Sequence, residues 1–270
     1  MTTVTSGSYI KAGSMGARLY VPGMVKRAKA LVLHFHGGAF MRGSIDTGRA
    51  VASLLAEAGA AVVSTDYPRA PEHRFPCALE MAFDALADLH KRRREFSSHR
   101  SLLFVAGEEA GANLAAALAL IARDRRSAPL AGQILLSPML DPQLASCSAR
   151  LAEAGPVGCK WADGWHEYLG SADKASHPYA TPLASSRLAG LAPALILTAN
   201  DDVMRDESVL YASALRRADV TVDLHTLPAP TGWPDSLTDG TAPEAHWREP
   251  VRRHLDQFLT SNLAKVRNVS

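Results

Sequence analysis

The chain has 270 residues, 47% hydrophobic and 21% charged, which excludes a disordered or collagen-like polypeptide. That length suits one large α/β or β domain, or at most two small ones. Lys and Arg number 29 against 27 Asp and Glu, a formal charge of +2 without a dense basic run, so nucleic acid is not an expected partner.

In chain order, Ser8–Gly13 and Gly16–Val21 read as a short antiparallel hairpin before Pro22. Then come a strand at Ala30–His36, a helix at Gly48–Ala58, a strand at Ala60–Asp66 and a helix at Ala78–Lys91. A strand at Leu102–Gly107, a helix at Ala110–Arg125 and a strand at Gly132–Ser137 follow. The C-terminal third gives strands at Ala194–Ala199 and Val220–His225, with helices at Asp206–Arg217 and Ala245–Leu263. Short, continuously apolar strands alternating with helices predict an α/β fold whose mostly parallel sheet is covered on both faces. The stretch 141–187 breaks the rhythm with the helix-like WADGWHEYL and loops rich in Ser, Pro and Gly, as a lid inserted into one domain spanning 1–270 would.

No apolar run approaches the ~18 residues of a membrane span, and the first residues lack the apolar core of a secretory signal. Cys77, Cys147 and Cys159 are odd in number and contain no CxxC pair; they are expected as buried fillers, not as disulfides or zinc ligands. A cytoplasmic protein without membrane insertion, metal or organic cofactor is the expectation.

Three motifs carry chemistry. His36-Gly37-Gly38-Ala39 follows a strand, and consecutive glycines let backbone N–H groups approach a substrate oxygen, the geometry of an oxyanion hole. Gly107-Glu108-Glu109-Ala110-Gly111 joins a strand to a helix, with glycines two before and two after the central residue, which permits a sharp turn that presents the side chain of Glu109. Asp202-Val203-Met204-Arg205-Asp206-Glu207 lies between a strand and a helix.

With Asp66-Tyr67-Pro68-Arg69-Ala70-Pro71-Glu72-His73 and Leu136-Ser137-Pro138, these motifs make the chain resemble the bacterial hormone-sensitive-lipase-like branch of the α/β-hydrolase fold, from about Ala17 to the C-terminus. That resemblance implies carboxylesterase chemistry on small acyl esters, and it also allows a homodimer. The chain departs from the family at two positions. The nucleophilic serine of the GDSAGGN-like elbow is Glu109, and the His of the HGF-like turn aligns with Thr231, in Thr231-Gly232-Trp233; the acid aligns with Asp202.

A serine mechanism needs both missing groups. The expectation is therefore acid/base chemistry by Glu109 on a small carbonyl-containing molecule (elimination, isomerisation or cyclisation), with Gly37, Gly38, Ala39 and Ala110 as oxyanion hole. Ordinary esterase activity is not expected. Two alternatives stand beside it: a catalytically dead homologue that binds ligand, and a residual hydrolase with a non-standard nucleophile. Asp202 is expected to share the site with Glu109, where two carboxylates resist double ionisation. His36, Thr231, Trp233, Trp161 and Trp165 are expected to line the substrate site.

Overall fold

A computed structural model describes residues 4–23, 28–153, 159–238 and 245–267. The eight strands are β1 (Val4–Ala12), β2 (Met15–Pro22), β3 (Ala30–Phe35), β4 (Ala60–Thr65), β5 (Leu102–Glu108), β6 (Leu130–Leu136), β7 (Ala194–Ala199) and β8 (Val222–Leu227). They form one sheet in the order β1-β2-β4-β3-β5-β6-β7-β8. The pairings of β1 with β2 and of β2 with β4 are antiparallel; from β4 to β8 every neighbour is parallel. This is the α/β-hydrolase architecture that the motifs predict.

The helices are α1 (Arg49–Glu57), α2 (Cys77–Lys91), α3 (Arg93–Phe96), α4 (Ala110–Asp124), α5 (Cys147–Glu153), α6 (Lys160–Leu169), α7 (Arg205–Arg217), α8 (Asp235–Thr238) and α9 (Arg248–Arg267). The strand period of two sorts the core into layers. Leu31, Leu33 and Phe35 pack with α2, α4 and α7, whereas Ala30 and Val32 face the opposite layer with α1 and α9. Helix α4 is buried from Ala110 to Ala122, and its alanines permit the close approach to β5 and β6 that the centre of the sheet requires.

Within 141–187 the described residues form α5, α6 and two 3₁₀ turns; 154–158 lie outside them. Helix α6 buries Trp165, Tyr168 and Leu169, and Gly170, at φ 69°, ends it in the left-handed conformation that glycine tolerates. The cysteines are not buried fillers: Cys147 is exposed, and Cys77 and Cys159 are half-buried. Among the described residues no helix is long and apolar enough to cross a membrane.

Candidate active site

Strand β5 ends at Glu108 and α4 starts at Ala110, so the change of direction falls on Glu109, at φ 52° and ψ −116°. Holding an L residue there costs ~1–3 kcal/mol. Opposing that cost, the Glu109 N–H donates to the Leu136 carbonyl at 3.0 Å, and its carbonyl accepts from the N–H groups of Ala112 at 3.1 Å and Met139 at 3.2 Å. The flanking glycines are dictated by space. A Cβ on Gly107 would stand 2.3 Å from the Gly111 carbonyl, and one on Gly111 would stand 2.1 Å from the Phe35 carbonyl oxygen.

The loop after β3 runs through Gly38 at φ 125°, Ala39 at 49° and Phe40 at 62°, which turns successive N–H groups toward the elbow. Gly38 and Ala39 both donate their N–H to Glu109 Oε2, Ala39 at 2.8 Å. Trp161 Nε1–H donates to Oε1 at 2.7 Å. The Glu109 side chain, 4% exposed, makes no cap hydrogen bond to its own helix and reaches across to the loop instead. A carboxylate oxygen thus sits at the focus of two backbone donors, an arrangement able to hold a negatively charged oxygen.

Gly37 plays another part than expected: its N–H donates to Glu108 Oε1 at 3.2 Å. Glu108 Oε2 lies 2.7 Å from His34 Nε2, and His34 Nδ1 lies 2.9 Å from Ser64 Oγ, all three side chains fully buried. The network ties the loop to β3, β4 and β5.

Asp202 and Glu109 do not share partners, which corrects the expectation of a common proton. Asp202, 1% exposed, accepts from Ser137 Oγ at 2.7 Å, Thr198 Oγ1 at 2.6 Å and the Met204 N–H at 2.9 Å. Burial pushes its pKa up, against the lowering pull of Thr198, Ser137 and Met204. Thr231 is engaged by the preceding acid, Asp201, whose oxygens accept from the Thr231 N–H at 2.6 Å, its hydroxyl at 2.8 Å and the Gly232 N–H at 2.9 Å. Burial works to raise the Asp201 pKa, but the bonds from Gly232 and Thr231 leave it below the usual value.

A cavity of about 260 Å³ opens over Glu109, lined by Gly37, Gly38 and Ala39 of the loop and by Met41, Arg42, Gly43, Thr47, Lys160, Asp163, Pro234, Asp235 and Thr238. Several expected lining residues lie off this cavity. His36 is buried and stacked on Tyr67 with ring centroids 4.4 Å apart. Trp165 packs against Phe40 at 5.0 Å, and Trp233 sits edge-on to Trp247 at 5.6 Å. Thr231 is buried at its Asp201 clamp; Ala110, expected as an oxyanion-hole donor, begins α4 next to Glu109, whose backbone donors Gly38 and Ala39 come from the loop. Trp161 alone of the aromatic candidates touches Glu109. Of the residues missed, Arg42 follows Ala39 by three positions, Lys160 precedes Trp161 and Asp235 follows Trp233 by two, so proximity in sequence was a usable signal; Thr238 carried none.

A family model described as the α/β-hydrolase fold matches residues 32–231. Esterase LipI of Mycobacterium tuberculosis is 36% identical over 223 residues, 79% of this chain and 69% of that protein. An arylesterase of Saccharolobus solfataricus is 33% identical over 208 residues, 75% of this chain and 67% of that one. Among solved structures, a thermostable esterase from Pseudomonas putida superposes with a TM-score of 0.80 at 28% identity, covering 96% of this chain and 82% of that one. These relatives correct the functional expectation: they are named esterases, which points to a hydrolase and not to a lyase, an isomerase or a dead binding protein, and esterase activity is not excluded. The chain belongs to the α/β-hydrolase fold family.

Proposed function

We propose that the protein hydrolyses small carboxylic esters in the cavity above Glu109, with Glu109 and Thr231 standing where its relatives' serine and histidine would be. The observation that carries this reading is the convergence of the Gly38 and Ala39 N–H groups on one carboxylate oxygen at the elbow, in a chain whose relatives are named esterases.

Without the Ser–His pair, water is the nucleophile. The ester carbonyl oxygen takes over the Gly38 and Ala39 N–H groups as Glu109 Oε2 withdraws. Glu109 then accepts a proton from a water molecule whose oxygen bonds to the acyl carbon, and the two N–H groups hold the resulting oxyanion. When the tetrahedral intermediate collapses, the carbon–alkoxide bond breaks and Glu109 returns its proton to the leaving alcohol. The products are one carboxylic acid and one alcohol.

The test is hydrolysis of p-nitrophenyl acetate and butyrate by wild type and Glu109→Gln, which keeps the shape of the side chain but cannot accept the proton. Turnover by wild type that falls by about 100-fold or more in the variant supports the reading, the range typical of a lost general base. Equal rates in the two proteins, or stoichiometric labelling of a serine by a fluorophosphonate, overturn it.

A further inference from the structure

We infer that the Gly38 N–H, the Ala39 N–H and the Trp161 indole N–H form a binding site for a small monocarboxylate, which Glu109 fills from inside the molecule. The inference rests on the reading of Gly38 and Ala39 as oxygen-binding donors of the proposed ester site, and it concerns what else those donors take.

The donor set is built for an anion. Two come from consecutive residues in the left-handed region, Gly38 and Ala39, and the third is a side-chain N–H from Trp161 on α6, far along the chain. They are divided between the two oxygens of one carboxylate, Oε2 taking the backbone pair and Oε1 the indole. Gly37 keeps the space open: a Cβ there would stand 3.0 Å from Glu109 Oε2. Glu109 also makes no cap bond to α4, so its own helix does not account for the direction of its side chain. Lys160, whose Nζ lies 4.7 Å from the Trp161 ring centroid, is ion-paired with Asp235, so the anion selectivity rests on the three N–H donors and not on a free cation.

The acid released by ester hydrolysis carries the same two oxygens on one carbon. In wild type, the Glu109 carboxylate stays beside those donors when an ester displaces it, and its charge repels a second carboxylate where it admits a neutral ester, so the chain resists its own carboxylate product. When Glu109 is shortened, the three donors lose their acceptor, and a carboxylate from solution replaces it.

The experiment titrates sodium butyrate into wild type, Glu109→Ala and Glu109→Ser, by calorimetry and by thermal unfolding; the second variant serves if the alanine chain folds poorly. Both variants are expected to bind butyrate saturably and to gain about 3–5 °C in Tm at tenfold the dissociation constant, whereas wild type gains none. Adding Trp161→Phe to Glu109→Ser is expected to weaken butyrate at least about fivefold, the loss of one charge-assisted bond. Wild type binding butyrate as tightly as the variants, or neither variant binding it, overturns the inference; equal affinity with and without the Trp161 indole overturns the three-donor site. Ester turnover is read separately. Butyrate binding without any wild-type turnover refutes the hydrolase proposal and leaves the carboxylate site standing.

Discussion

Thr231 gives Asp201 both its backbone N–H, at 2.6 Å, and its hydroxyl, at 2.8 Å, so the Thr231-Gly232-Trp233 turn is built around a clamp to the first acid of the Asp201-Asp202 pair. Asp202 is meanwhile satisfied by Ser137, Thr198 and Met204. The second acid is therefore buried among its own donors, while the first holds the turn.

Installing a serine and a histidine at the two proposed positions tests that reading. Glu109→Ser with Thr231→His is expected to hydrolyse p-nitrophenyl acetate at least about 100-fold faster than either single variant, because serine and histidine act as a unit. Thr231→His alone loses the hydroxyl donated to Asp201 and is expected to cost about 1–3 kcal/mol in urea unfolding. A double variant no faster than the singles would mean that the Asp201 clamp holds position 231 away from Asp202.

The buried Ser64–His34–Glu108 chain predicts a steep stability response. Glu108→Ala strands His34 and removes the acceptor of the Gly37 N–H, and is expected to cost about 3–5 kcal/mol. Glu108→Gln keeps an acceptor and is expected to cost about 1–2 kcal/mol. Urea midpoints that rank the two variants equally would show that Glu108 does not anchor the loop.

The sheet and helices α1, α2, α4, α7 and α9 were legible because burial on both faces writes itself as continuous apolar strands, and because the spaces at Gly107 and Gly111 allow no side chain. The elbow and the glycine loop were legible for the same reason. The destination of the Glu109 carboxylate was not, since Trp161 comes from an insertion whose placement no local pattern encodes. Trp165 and Trp233 read alike with Trp161 as aromatic candidates, yet packing against Phe40 and Trp247 turns both into the core. The division of labour between Asp201 and Asp202 was equally hidden. Adjacent acids look interchangeable until the chain supplies Thr231 to one and Ser137 to the other.

Glycine substitutions should follow space and not motif membership. Gly111→Ala puts a Cβ 2.1 Å from the Phe35 carbonyl oxygen, between rigid backbones, and is expected to prevent soluble folding. Gly37→Ala meets Glu109 Oε2 and the Thr238 methyl, both at 3.0 Å; these side chains can move, so the chain should fold with its site disturbed. Gly16→Ala meets nothing within 4 Å and is expected to stay within about 0.5 kcal/mol of wild type. Soluble yield and thermal melts check the order; a well-folded Gly111→Ala protein would contradict the close approach of α4 to β3.

Glu207 should make stability depend on pH. It is 1% exposed, its Oε2 accepts from the Leu140 N–H at 2.6 Å and the Asp141 N–H at 2.8 Å, and its Oε1 has no hydrogen-bond partner among the described residues. Burial pushes its pKa from 4.5 up to about 8, overriding the lowering effect of the Leu140 and Asp141 N–H groups, with the charges of Asp141 and Asp202 adding to the rise. The folded chain thus holds a proton that the unfolded chain releases, so folding binds protons throughout the interval from 4.5 to about 8. The contribution to stability is complete below the lower value and is lost as pH rises through the upper one, on the order of a few kcal/mol. Glu207→Gln keeps a carbonyl for Leu140 and Asp141 but has no proton to lose. Urea unfolding between about pH 5 and about pH 8 is expected to show wild type losing stability faster than this variant, with Asp202, also raised by burial, leaving a residual slope in both. Parallel slopes would mean that Glu207 is already ionised in the folded protein, and that its bonds to Leu140 and Asp141 are those of a carboxylate.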